Sequence, residues 1–156
     1  MTALISGTFD PFTLGHKSIV DRTLLFADKV IIGIGINRDK HNMFPMQWRI
    51  DYINKIYEKD GRVCVMSYEG LTTDFAKKVD ANCIVRGVRS NQDFEYERQL
   101  ADINKKLANI DTLLMLTDER YSCISSSMIR ELIAYGKDVN SFVPIAINGK
   151  EYINPQ

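Results

Sequence analysis

No apolar run in this 156-residue sequence approaches the roughly 18 residues that a membrane-spanning helix needs, which excludes a helical membrane anchor. Net charge is equally scarce. Twenty Lys and Arg balance twenty Asp and Glu, so there is no bulk positive charge to hold a nucleic-acid backbone or an anionic membrane surface, and any basic site must be local. Cysteine is sparse and unpaired by spacing: Cys64, Cys83 and Cys123 stand far apart among apolar neighbours and form no CxxC pair. That pattern excludes a disulfide frame or a cysteine zinc site and suits a reducing compartment. The opening "MTALISGTFDP" lacks the basic and long apolar regions of a secretory leader, so a cytoplasmic location is expected. Two nucleotide signatures are also missing. There is no GxxxxGK[ST], and "GIGINR" lacks the third glycine and following helix of the dinucleotide fingerprint, which disfavours a P-loop NTPase and a nicotinamide dehydrogenase.

What is present is an ordinary globular composition, 45% hydrophobic and 26% charged, of a length that fits one domain over residues 1–156. Short β-branched runs alternate with segments of helical period, the pattern of βαβ units. The strands expected are Thr2–Ser6, Lys29–Ile36, Arg62–Ser67, Asn82–Arg86 and Thr112–Leu116, several of them apolar on both faces. Helices are expected over His16–Ala27, Met46–Glu58 and Phe94–Leu107, and over "SSMIRELIAY", which Gly136 stops as a C′ glycine. The fold class is therefore α/β, a single-domain Rossmann-like doubly wound sheet of five parallel strands with helices on both faces. Residues 145–156 are expected to form a surface extension, with a strand as one form it could take.

In open parallel sheets, ligands bind beyond the carboxyl ends of the strands. The loops on that rim carry Thr8, His16, Arg38, Lys40, Arg86, Arg89 and the run Ser125, Ser126, Ser127, a local cationic and donor-rich edge of the kind a polyphosphate ligand requires. The serine run begins a helix, where free backbone N–H groups and the dipole favour an anion; one serine would suffice for capping, and three favour a phosphate seat. Singly, His16 reads as a capping or packing residue and each basic residue as solvated surface. Their concentration on one rim is what argues for chemistry.

"GTFDPFTLGH", with its T-x-G-H core, resembles the signature of the HIGH-type nucleotidyltransferase superfamily. The further set "NRDK", "RGVRSNQDFEYE" and "YSCISSS" is similar to that of the bacterial phosphopantetheine adenylyltransferase family, and the match in order runs from about Leu4 to Pro144. The resemblance implies adenylyl transfer from ATP to 4′-phosphopantetheine, giving dephospho-CoA and pyrophosphate, with Mg²⁺ accompanying the nucleotide. It implies that Thr8, Phe9, His16, Gly87, Val88, Arg89, Glu97 and the segment Tyr121, Ser122, Cys123, Ile124, Ser125, Ser126 and Ser127 bind ATP. It also implies that Thr8, Lys40, Thr72 and Arg86 hold phosphopantetheine and that the protein is a homohexamer; coenzyme A, which shares the pantetheine arm, is expected to compete for the same pocket as a feedback ligand. The sequence departs from the family pattern at Arg38 and Asn42, which stand where proline is usual, at Cys123 in place of an aromatic residue, and at Thr72 where an apolar residue is common. The tail after Pro144 does not resemble the family's terminal helix.

The chemistry accounts for the residue types. A phosphate oxygen is already an anionic nucleophile, so the reaction calls for alignment and charge stabilisation rather than a general base. Thr8 and Lys40 are expected to clamp the incoming phosphate, His16 to donate to the α-phosphate as a neutral imidazole, and Arg89 with the serine run to neutralise pyrophosphate. No protein-held metal is expected. Two alternatives stay open: another phosphate acceptor, such as nicotinamide or nicotinate mononucleotide, and a non-catalytic nucleotide-binding module on the same fold.

Overall fold

Apolar residues that follow one another without polar alternation can be buried only if both faces of a sheet are covered. The computed structural model, which describes residues 1–36 and 41–148, has this arrangement. Strands β1 (Thr2–Gly7), β2 (Lys29–Ile36), β3 (Val63–Glu69), β4 (Cys83–Val88) and β5 (Asp111–Leu116) are all parallel and lie in the order β3-β2-β1-β4-β5. Alternate side chains supply two cores. Ala3 and Ile5, Val30, Ile32 and Ile34, and Cys83 and Val85 pack under α1 (Leu14–Thr23), α2 (Met46–Ile56) and α5 (Ser126–Ala134), which contribute Ile19, Val20, Tyr52, Ile53 and Ile129. The intervening Leu4, Ile31 and Ile84 face the other way, onto Phe75 and Ala76 of α3 (Thr72–Lys78), with Ala108 of α4 (Asn91–Ala108) beside them. The expected fold class is the observed one.

Several elements differ from expectation. Helix α3 was not expected, because it is seven residues long, begins on two threonines and has no side-chain cap; burial of Thr73, Phe75 and Ala76 holds it in place. Helix α1 ends at Thr23, whose hydroxyl donates to the Ile19 carbonyl at 2.7 Å, and the chain then turns and exposes Leu25. Helix α4 starts three residues early because Ser90 caps it, its hydroxyl accepting the Asp93 N–H at 3.1 Å. Gly136 sits at φ +67, as the C′ glycine after α5. The first residues of the expected surface extension are docked rather than free: the Ile145 N–H and carbonyl both bond the Tyr52 hydroxyl, and Ile147 is buried.

Strand order reverses between β1 and β4, the neighbours whose connections run in opposite directions across the sheet. A crevice opens there at the carboxyl ends.

Candidate active site

The crevice is a cleft of about 540 Å³, walled by the ends of β1 and β4, the loop from β1 into α1, the start of α5 and one face of α4. Thr8, Phe9, His16, Arg86, Gly87, Arg89, Glu97, Ile124, Ser125, Ser126 and Ser127 all line it. Val88 is buried behind the wall, and Tyr121, Ser122 and Cys123 lie outside the lining, Tyr121 beside the Arg120 guanidinium. Thr72 begins α3, is not among the cleft-lining residues, and shares a hydrogen bond with the Tyr68 hydroxyl at 2.8 Å. Lys40 and Arg38 lie outside the described residues.

His16 occupies the third position of α1, in a capping box with Thr13. The Thr13 hydroxyl accepts the His16 N–H at 3.3 Å, and in return the Thr13 N–H donates to His16 Nδ1 at 3.0 Å. A ring nitrogen that accepts an amide proton carries none itself, so the proton of the neutral imidazole sits on Nε2. Phe9 packs edge-on against the ring at 5.1 Å between centroids and Phe12 at 5.4 Å, fixing its plane. Burial, then the charges of Arg89 and Arg86, push the His16 pKa down to about 4. The expected neutral state thus follows from burial and the two arginines.

Glu97 is the one buried residue of α4. Its two oxygens accept from Arg86 Nε and Nη2 at 2.8 and 2.6 Å, while Arg86 Nη1 donates to the Ser6 carbonyl. The two residues therefore hold each other and fasten α4 to the end of β1. Arg89 reaches Asp93 Oδ2 from Nε and the Ile124 carbonyl from Nη1, both at 3.3 Å, and spans the cleft between β4 and the serine run. The serines divide their work. Ser125 caps α5 by accepting the Met128 N–H, and Ser126 donates to the Pro11 carbonyl at 2.8 Å. The Ser127 hydroxyl is left for the cleft, without a partner among the described residues.

Several lining residues were missed in the sequence. Asp10 is buried and its carboxylate accepts the Met43 and Phe44 N–H groups at 3.0 and 2.8 Å, pinning the wall that carries His41 and Asn42. Arg130, one helical turn after Ser126 and so on the same face as the serine run, donates to the Asp10 carbonyl at 2.6 Å. That spacing was the available signal. Among the described residues, no three His, Cys, Asp or Glu side chains stand together as a metal site.

A cationic, hydroxyl-rich cleft over a helix N-terminus, with a neutral imidazole donor, can bind a polyphosphate and stabilise charge developing on it. Comparison with known proteins agrees. The cytidylyltransferase-like family matches residues 4–132. The phosphopantetheine adenylyltransferase of Bacteroides fragilis is 53% identical over 142 residues, 91% of this chain and 95% of that protein. That of Bacteroides thetaiotaomicron is 51% identical over 142 residues, 91% and 94% of the two chains. A solved structure of a bifunctional NMN adenylyltransferase/ADP ribose pyrophosphatase from Francisella tularensis, complexed with AMP and a manganese ion, superposes with a TM-score of 0.68 over 91% of this chain and 44% of that one. At 17% identity this last likeness bears on the fold alone.

Proposed function

Because this chain belongs to the phosphopantetheine adenylyltransferase family, it is a nucleotidyltransferase of coenzyme A biosynthesis, and we propose how its cleft does the work. An oxygen of the 4′-phosphopantetheine phosphate attacks the α-phosphorus of ATP, the bond from that phosphorus to the β-bridging oxygen breaks, and dephospho-CoA and pyrophosphate form. Thr8 and Lys40, with Arg86, hold the incoming phosphate, and the backbone near Thr72 receives the pantetheine arm. His16 donates Nε2–H to an α-phosphate oxygen as charge builds in the transition state. Arg89, Ser127 and the first turn of α5 take the β- and γ-phosphates, while Phe9, Gly87, Val88, Glu97 and the segment 121–126 surround the rest of the nucleotide.

Mg²⁺ fits this site as a companion of the nucleotide. The cleft carboxylates are already engaged, Asp10 by two amides, Glu97 by Arg86 and Asp93 by Arg89, so an ion would be held chiefly by phosphate oxygens and water. It would supply neutralisation of the triphosphate charge. We read residues 1–156 as one domain with 145–156 as an extension, cytoplasmic in keeping with three free cysteines, and assembled as a homohexamer. Coenzyme A shares the pantetheine arm and would compete for the acceptor pocket.

The observation that carries this reading is His16 held with Nδ1 as acceptor and Nε2 as the only donor, between Phe9, Phe12 and two arginines. His16→Ala should lower kcat by about 10²–10³-fold, the size found for losing one charge-stabilising donor, with little change in ATP affinity. Steady-state kinetics beside nucleotide titration checks this; an unchanged kcat would remove His16 from the chemistry.

A further inference from the structure

Helix α2 buries Arg49, Tyr52 and Ile53 on one stripe, so a guanidinium stands where helical periodicity calls for an apolar side chain. Arg49 is 2% exposed and its Nε is buried with no partner. A buried cation so incompletely satisfied does not raise stability above that of a well-packed methionine or leucine. Its reason lies in the one hydrogen bond it makes among the described residues, Nη1 to the Thr8 carbonyl at 2.7 Å.

In a trans peptide the carbonyl of one residue and the N–H of the next point in opposite directions. Drawing the Thr8 carbonyl down to α2 therefore turns the Phe9 N–H away from α2, to the side where Thr8 and Phe9 line the cleft. The Phe9 N–H has no partner among the described residues. Phe9 also sits at φ +49, a region that residues with side chains seldom adopt, so this peptide orientation is held against local preference. A Cβ on Gly7 would come within 2.9 Å of the Phe9 ring, so the ring's place is reserved by glycine while the amide's direction is set by Arg49.

We propose that Arg49 is a positioning residue, which holds the Thr8–Phe9 peptide so that the Phe9 N–H is a fixed donor to a nucleotide phosphate in the cleft. The proposal rests on the nucleotide-binding reading given above. It makes no demand on which acceptor is used.

The test combines NMR and kinetics on the full chain. In the wild type, the Phe9 amide proton should move downfield when the non-hydrolysable analogue α,β-methylene-ATP is added with Mg²⁺. No movement, although other cleft resonances report binding, overturns the proposal whatever the variants do. In Arg49→Met the chain should keep or raise its melting temperature, lose the Phe9 shift, and lose about 30-fold in kcat, with the acceptor KM changed by less than about threefold, the split expected when a preorganised donor is released. A folded Arg49→Met with wild-type kcat and Phe9 shift would make Arg49 a mere filler. Should Arg49→Met fail to fold, Arg49→Lys, which keeps one donor for the Thr8 carbonyl, must retain the Phe9 shift, and a folded Arg49→Lys without it counts against us. If the wild type shows the Phe9 shift but releases no pyrophosphate with phosphopantetheine, the acceptor assignment fails and the role of Arg49 stands.

Discussion

His16 shows how a single side chain is tuned from two directions. Its Nδ1 is occupied by the Thr13 N–H, and burial with Arg89 and Arg86 holds the pKa near 4, so the imidazole stays neutral across the range where free histidine titrates, as the proposed donor role requires. The folded pKa lies below the unfolded value of 6.5, so folding favours the neutral form. The stability this provides is complete above pH 6.5 and is lost as pH falls towards 4, by an amount on the order of 3 kcal/mol. Two outcomes follow. kcat should stay flat from pH 8 to about 5.5, where a group with an ordinary histidine pKa would already have dropped by about tenfold. Denaturant titrations between pH 7 and 4.5 should show wild-type stability falling, with a shallower fall in His16→Gln; a kcat that declines steeply through the mid-sixes would contradict the neutral-donor account. The residue itself was legible in T-x-G-H. Its tautomer was not, because that depends on Thr13 forming a capping box, which becomes evident only once the helix start is placed at Leu14.

Elements, rather than isolated residues, explain what the sequence concealed. The five strands were readable because nearly every position in β1, β2 and β4 is apolar, and the rim loops followed from parallel connections. Helix α3 was not, since "LTTDF" carries no cap and poor helix formers, and only packing against Leu4, Ile31 and Ile84 makes it helical. The carbonyls of the loop "GTFDP" are tied from beneath by Arg49, Arg130 and Ser126. Those three donors lie 41 to 120 residues from the carbonyls they bond, beyond the reach of local pattern. Helix α4 depends on one buried acid. Glu97→Gln should weaken the clamp on Arg86 and destabilise the chain by about 3 kcal/mol, the usual penalty for breaking a buried pair from one side. Chemical denaturation would measure it, and a loss below about 0.5 kcal/mol, typical of surface pairs, would mean that Arg86 finds other partners.

At the scale of the whole molecule, the described chain leaves apolar side chains uncovered: Phe94, Ile103 and Leu107 on α4, and Leu113 and Leu116 on β5 at the sheet edge. Helical period sets Leu100, Ile103 and Leu107 on one side of α4, and the last two are exposed. Exposed apolar side chains of this kind are what contact with other chains in the proposed homohexamer would cover. Light scattering should give six times the 17.9 kDa chain mass, and Ile103→Asp should lower it; a wild-type monomer would overturn the assembly. The central claim concerns which acceptor the cleft serves, and the most direct measurement is pyrophosphate release from ATP and Mg²⁺ with 4′-phosphopantetheine or with nicotinamide mononucleotide. The account predicts release with phosphopantetheine, formation of dephospho-CoA in equal amount, and none above background with the mononucleotide. Release with the mononucleotide alone, or with neither, would contradict it.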